Sequence, residues 1–333
     1  MTSRKPIWTS EKRRPGAFPR HDPVKYENEG VRGAEEGPEL GIFRFMNKIV
    51  SKKQLSEKVW RMEIEAPLIA AERKAGQFII LQTDAERGER IPLTIADASE
   101  ERGTITLIFQ VVGKTTEELS RFAEGDELPV LVGPLGRPTH IENFGHVACV
   151  GGGIGIAPLH PIVQALKAAG NRLTVISGAR SKDLLILQDE MEALADRHIV
   201  VTDDGTAGRQ GRVTDPLKEL CELPEGERPD LAIVIGPPIM MKFCAATTRP
   251  YGVKTVASLN TIMVDGTGMC GGCRVSVGGK TKFVCVDGPE FDAHEVDFDN
   301  MMARLGAFRD RERQAHDHYC NLQRAFDEKR ARQ

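Results

Sequence analysis

Residues 146–158 read HVACVGGGIGIAP. The run is continuously apolar, then turns on glycine, then starts a helix with Pro158 in its first turn. A buried parallel strand feeding a helix reads this way, because both faces of such a strand are covered. The helix start offers free N–H groups and the positive end of its dipole to a pyrophosphate. The stretch is not the G-x-G-x-x-G fingerprint, since Ile156 stands at the third glycine position. A tight strand–helix turn without a ligand is the plain alternative.

Downstream, NRLTVISG, RHIVVTDDG, PDLAIVIGP and VKTVASL continue as strands. Helical patterns such as APLHPIVQALKAAG and LLILQDEMEALAD lie between them. Strand–helix alternation predicts a parallel sheet with helices on both faces. Upstream the period differs. FRFMNKIVSKKQL, VWRMEIEA, QFIILQT, TITLIFQVV and ELPVLVG are short, branched or aromatic runs separated by turn-prone segments. They predict a small antiparallel barrel. One short helix is expected at 116–122, capped by Thr115 or Thr116.

Past residue 256 the composition changes again. The segment NTIMVDGTGMCGGCRVSVGGKTKFVCVDGP carries Asp265-x4-Cys270-x2-Cys273-x11-Cys285. Two cysteines three apart, set among glycines, can aim both sulfurs at one metal centre. The x4 and x2 spacings are those of a plant-type [2Fe–2S] loop, with aspartate where the first cysteine would stand. Asp265, Cys270, Cys273 and Cys285 are therefore read as cluster ligands. Structural zinc is the rival, since three Cys and one oxygen also close a tetrahedron. Cys149, Cys221 and Cys244 sit in apolar contexts and read as core.

The expected organisation is multidomain: an N-terminal extension (1–42), an antiparallel β-barrel (43–142), an α/β parallel-sheet nucleotide domain (143–256), a small cluster loop (257–292) and a helical C-terminal extension (293–333). The first extension carries five of the 19 prolines, with Trp8, Phe18 and Tyr26 as spaced apolar anchors. In the second, Phe308, Tyr319, Leu322 and Phe326 fall near one helical face. Each extension is either a docking element or a solvated arm.

Composition excludes several classes. The 333 residues, at roughly 150 per domain, suggest about two domains. Lys+Arg 45 against Asp+Glu 48 gives net charge -3, without the basic excess of a general nucleic-acid binder. The longest apolar stretch, Val147 to Val163, is broken by glycines, prolines and a histidine, so no membrane span is expected. The start MTSRKPIWTSEKRRPGAF has no apolar core, which speaks against a secretory signal. Seven cysteines, an odd number, favour a reducing, cytoplasmic setting over a disulfide framework. Gly113-Lys114-Thr115 and Gly279-Lys280-Thr281 lack the upstream glycine of a phosphate loop; Ile108 and Arg274 stand there.

The order of motifs is RIPLT (90–94), VGKTTEELS, VGPLGRPT, GGGIGIAP and C-x2-C-x11-C. In this order the chain resembles the flavoprotein electron-transfer subunits of the ferredoxin-reductase superfamily. The likeness covers residues 44–290. It is strongest to the small subunit of NADH-dependent ferredoxin:NADP oxidoreductase, to the sulfide dehydrogenase small subunit and to the electron-transfer subunit of dihydroorotate dehydrogenase. The first of these has one Asp and three Cys cluster ligands, as Asp265 would provide.

The resemblance implies FAD in the barrel, along Arg90, Pro92, Leu93 and Thr94, with Thr94 near flavin N5. Gly113, Lys114, Thr115 and Thr116 would hold its pyrophosphate. The chain departs from the superfamily in having Ile91 and Leu93 where an arginine and an aromatic are usual; Arg90 is one residue early. The resemblance also implies a nicotinamide nucleotide on Gly152, Gly153, Gly155, Pro158, Gly178, Arg180, Asp203, Asp204, Gly205, Gly236, Pro237 and Met240. NAD(H) is expected and NADP(H) stays open, because Arg180 could meet a 2′-phosphate. No side chain is expected to act as an acid or base, since the cofactors carry the chemistry.

The implied partner is a larger subunit resembling the glutamate synthase small chain, with FAD and [4Fe–4S] clusters, through which ferredoxin would be reached in electron bifurcation. The alternatives are a dihydroorotate dehydrogenase or other oxidoreductase context, and a zinc-bearing regulator without enzymatic activity.

Overall fold

The computed structural model describes residues 47–331, and the side chains of all of these except 326–331. The N-terminal anchors Trp8, Phe18 and Tyr26 and the Phe326 side chain lie outside the described residues.

Strands β1 (Ile49–Ser56), β2 (Val59–Glu65), β3 (Phe78–Gln82), β4 (Ile91–Ser99), β5 (Thr104–Gln110) and β6 (Val130–Leu135) form one six-stranded sheet, in order β1-β2-β5-β4-β3-β6. Every pairing is antiparallel. A bridge between Lys48 and Glu127, with the Ile49 N–H donating to the Asp126 carbonyl, brings the two edges together. Alternation decides the inside: Ile105, Leu107 and Phe109 of β5 bury with Met62, Ile64, Ile79 and Leu81. Helix α1 (Pro67–Glu72) adds Ile69 and Ala70 to this core.

Helix α2 spans Lys114–Leu119 and starts two residues before the expected position. Gly113 is its N-cap, and the Thr116 hydroxyl reaches back to accept the Gly113 N–H at 3.1 Å. The threonine expected to cap from outside therefore closes the first turn from within. At the other end the Lys52 ammonium, over the Trp60 ring, donates to the Ser120 and Phe122 carbonyls at 2.5 and 2.7 Å.

The second sheet has seven strands. Six are β7 (His146–Gly152), β8 (Arg172–Ala179), β9 (Arg197–Thr202), β10 (Arg209–Gln210), β11 (Leu231–Ile235) and β12 (Lys254–Ser258), all parallel. The chain then forms a hairpin of β13 (Arg274–Val277) and β14 (Lys280–Phe283), a short helix α7 (Val284–Asp287) and β15 (Glu290–Asp292). Strand β15 joins β12 antiparallel as the seventh strand.

Helices α3 (Ile156–Ala168) and α4 (Gln188–Leu194) cover one face of this sheet, burying Cys149 and Val175 with Ile162 and Met191. Helices α5 (Thr214–Cys221) and α6 (Pro238–Thr248) cover the other, where Val150 and Ile176 meet Leu217, Cys221, Met241 and Cys244. The apolar stretch expected as one helix from Leu184 is divided. A 3-10 turn at Lys182–Leu184 is followed by Leu187 at φ 55°, and the helix begins only at Gln188. The tail is likewise two helices, α8 (Phe298–Leu305) and α9 (Arg309–Ala331). Asp297 caps α8 by accepting the Asn300 N–H at 3.0 Å. Phe308 falls in the break, half-exposed; Tyr319 lies over the Arg121 guanidinium, and Leu322 is exposed. No continuous apolar face results among the described side chains.

Residues 136–139 run between the two sheets. The Arg137 N–H donates to the Gly288 carbonyl at 2.7 Å, the Thr139 N–H to Ala75 at 2.9 Å, and the Gln77 amide to Gly136 at 2.9 Å. The Thr139 hydroxyl donates to the Glu290 carboxylate at 2.6 Å. Gly76, at φ +82°, leaves the room this contact needs, since a Cβ there would strike the Thr139 hydroxyl.

Burial pushes Glu290 up to about 7 against the opposing Thr139 bond. The folded chain thus keeps this proton where the unfolded chain, with the usual value of 4.5, has released it. The contribution is full below pH 4.5 and is lost as pH rises toward 7. Glu290→Gln should remove about 3 kcal/mol of this pH dependence, so that the variant gains on the parent between pH 5 and pH 8. Urea unfolding at those two pH values measures it; an equal difference at both would refute the buried-acid account.

Candidate functional site

The first part of the site lies on the barrel. In the β3–β4 ladder Pro92 pairs with Ile80, Leu93 with Ile79 and Thr94 with Phe78. All three site residues are half-buried along one strand. Arg90 precedes them, and its Nε is buried without a hydrogen-bond partner. Such an orphan donor fits a missing acceptor such as a phosphate or ribityl oxygen. Gly113 opens α2 with clear space where a side chain would stand. The two threonines after it are already engaged. Thr115 is buried and donates to the Glu89 carboxylate at 2.7 Å, while Thr116 closes the helix cap. Toward a pyrophosphate this leaves backbone N–H groups and Lys114, whose ammonium is 3.6 Å from Glu118.

The second part lies at the C-terminal ends of the parallel strands. Strand β7 ends at Gly152, a 3-10 turn spans Gly153–Gly155, and α3 follows with Pro158 at its third position. Gly155 abuts the Ile235 carbonyl, so this turn tolerates no side chain. The Met240 thioether fills the space a Cβ on Gly152 or Gly236 would need, with Pro237 beside it. Gly178 is held close by Val213. Those residues make the turn compact. Arg180, Asp203 and Asp204 instead line one open cavity of about 650 Å3. Gly205 follows at φ +74°. The Thr206 hydroxyl and N–H hold the Asp204 carboxyl below the usual range.

The third part is the cysteine loop. Cys273 and Cys285 are buried, with sulfurs 3.2 Å apart. Cys270 is exposed on the loop rim, and its sulfur accepts the Gly272 N–H at 3.4 Å. The Asp265 carboxylate accepts from the Thr267 hydroxyl at 2.7 Å and from the Met269 N–H at 2.9 Å. The Cys270 thiol and then the Thr267 hydroxyl hold it well below the ordinary carboxylate range. Burial, with the neighbouring Cys273 thiol, pushes Cys285 up. Two sulfurs and a carboxylate on a glycine-rich loop, with the Cys285 sulfur of α7 beside Cys273, suit an iron–sulfur cluster. Among the described residues no three His, Cys, Asp or Glu side chains converge to hold a single metal ion.

The first and third parts adjoin. Gly266, at φ +76°, packs on Ile80 and Leu135 of the barrel, and Ile80 is the ladder partner of Pro92. Sequence reasoning missed Thr261, whose hydroxyl is buried without a partner where the chain enters the loop. It also missed Glu57, which reaches the cavity of Arg180, Asp203 and Asp204 from the β1–β2 turn. Neither belongs to a motif, and Glu57 takes its meaning from the loops the fold brings beside it. Cys320, given no role from sequence, lies 3.6 Å from His316 on α9.

Residues 260–297 match the iron–sulfur cluster binding domain of dihydroorotate dehydrogenase B, and residues 149–246 match an oxidoreductase NAD-binding domain. A Thermotoga maritima homologue of the dihydroorotate dehydrogenase B (NAD(+)) electron transfer subunit is 49% identical, over 82% of this chain and 95% of that one. The electron transfer subunit of Desulforamulus reducens is 32% identical, over 76% and 97%. A solved chain from the NADH-dependent reduced ferredoxin-NADP oxidoreductase, described for flavin-based electron bifurcation, is 48% identical. It superposes with a TM-score of 0.77 over 83% of this chain and 98% of that one. No helix among the described residues is long and apolar enough to cross a membrane. With identity at this level over nearly the full length of these relatives, the chain belongs to the family of dihydroorotate dehydrogenase B electron transfer subunits and their homologues, as an oxidoreductase subunit with NAD-binding and iron–sulfur domains.

Proposed function

We propose that the chain moves electrons between NAD(H), FAD and a [2Fe–2S] cluster, to or from a larger partner subunit. The observation that carries this reading is the packing of the cysteine loop on β3, one strand from the Pro92–Thr94 segment. When bound, the flavin would take a hydride from NADH and release its electrons singly to the cluster. The protein's own residues bind and orient. Arg90 and the α2 N-terminus would hold the flavin's phosphates, with Pro92, Leu93 and Thr94 along its ring. Gly152, Gly153, Gly155 and Pro158 would admit the nicotinamide nucleotide's pyrophosphate, while Arg180, Asp203, Asp204 and Gly205 meet its ribose. Gly178, Gly236, Pro237 and Met240 would keep that turn compact.

Asp265, Cys270, Cys273 and Cys285 would ligate the cluster, Asp265 exchanging its loop hydrogen bonds for iron. The domain divisions near 142, 256 and 292 follow the same assignment. The partner is proposed to resemble the glutamate synthase small chain, with its own FAD and [4Fe–4S] clusters, and to reach ferredoxin in a bifurcating complex. Aspartate in place of the first cysteine supports that context. The names of the relatives support a second reading, the electron transfer subunit of a dihydroorotate dehydrogenase; recovery of the native partner separates the two. A cytoplasmic setting is supported by seven free cysteines.

An anaerobic visible spectrum before and after NADH tests the proposal. Flavin bands over a broad iron–sulfur shoulder, bleaching on NADH, are expected. A colourless protein carrying zinc and inert to NADH would overturn it. A carboxylate is a harder, less electron-donating ligand than thiolate. Asp265→Cys should therefore keep the cluster and shift its potential, read by redox titration. An unchanged potential would remove the tuning role of Asp265.

A further inference from the structure

The nucleotide cavity carries a feature that none of the family's motifs supplies. Its lining comprises Glu57, Asp183, Asp203 and Asp204, against one cation, Arg180. Among the described residues Arg180 makes no ion pair with any of them. Two of the lining loops are tied together. The Lys182 N–H donates to the Thr206 hydroxyl at 2.8 Å, and that hydroxyl donates to Asp204 at 2.6 Å. The remaining wall comes from the other sheet. Glu57 lies in the turn closed by the Ser56–Val59 pair, where the Gln54 amide donates to its carbonyl at 2.8 Å. A hairpin of the barrel thus brings a carboxylate to a cavity otherwise built on the ends of β8 and β9.

Resting on the nucleotide reading above, we propose that Glu57 is a specificity-determining residue, which makes this cavity accept a free 2′-hydroxyl and refuse a 2′-phosphate. A carboxylate can accept a hydrogen bond from a ribose hydroxyl. A phosphate monoester instead brings about 1.5 to 2 negative charges at neutral pH. The excess of carboxylates over Arg180 repels it, and a hydroxyl feels no such repulsion. Discrimination is then a property of the assembled sheets, since neither contains all four acids.

The test is calorimetric titration of the full-length, flavin-loaded protein with NAD+ and NADP+. The parent should bind NAD+ at least about tenfold more tightly. Glu57→Gln, an isosteric change in an exposed turn, should narrow the ratio by about fivefold, and Glu57→Lys by more. Equal binding of the two nucleotides by the parent would overturn the proposal. So would variants that leave the ratio unchanged or weaken both nucleotides alike. If neither nucleotide binds the parent, the nucleotide reading itself falls, and this inference with it.

Discussion

The cysteine loop is gripped from two sides, and the electron path depends on that grip. Its return strand β15 is the seventh strand of the nucleotide sheet, paired to β12. Its Gly266 lies on Ile80 and Leu135 of the barrel. Both contacts are backbone-close, and only glycine permits the second. The loop cannot shift without breaking a ladder or a packed core. Positions held this firmly are what single-electron transfer between fixed cofactors requires of a protein.

The seam around Thr139 serves the same end. Its residues bond to Ala75 and Gln77 of the barrel lead-in and to Gly288 and Glu290 beyond the cluster loop. Two portions of chain far apart in sequence are thus tied by one short linker. A buried acid there is costly when charged, so the seam favours a protonated Glu290 and an intact hydrogen bond to Thr139.

The parts legible in sequence were those whose pattern is local. HVACVGGGIGIAP announces its strand, turn and helix because each position's burial follows from the repeat of the element it sits in. The Asp265–Cys285 spacing is legible because loop length limits where sulfurs can go. The start of α2 was misplaced because Thr116 caps equally well from the third helical position. Leu187 divided an apolar stretch whose composition showed no break. Glu57 and the Thr139–Glu290 pair were silent, the latter 151 residues apart in sequence, because tertiary approach alone gives them meaning. The resemblance places Met240 and Gly178 along the nucleotide, and in the fold each also packs against the protein's own turns.

The central claim is that the loop holds a [2Fe–2S] cluster that electrons from NADH reach through the flavin. Low-temperature electron paramagnetic resonance of the full-length protein tests it most directly, with and without flavin. The account predicts a one-electron-reduced cluster signal after NADH only when flavin is present, while dithionite produces it in both. A signal from NADH in flavin-stripped protein, or none from either reductant, would contradict the account.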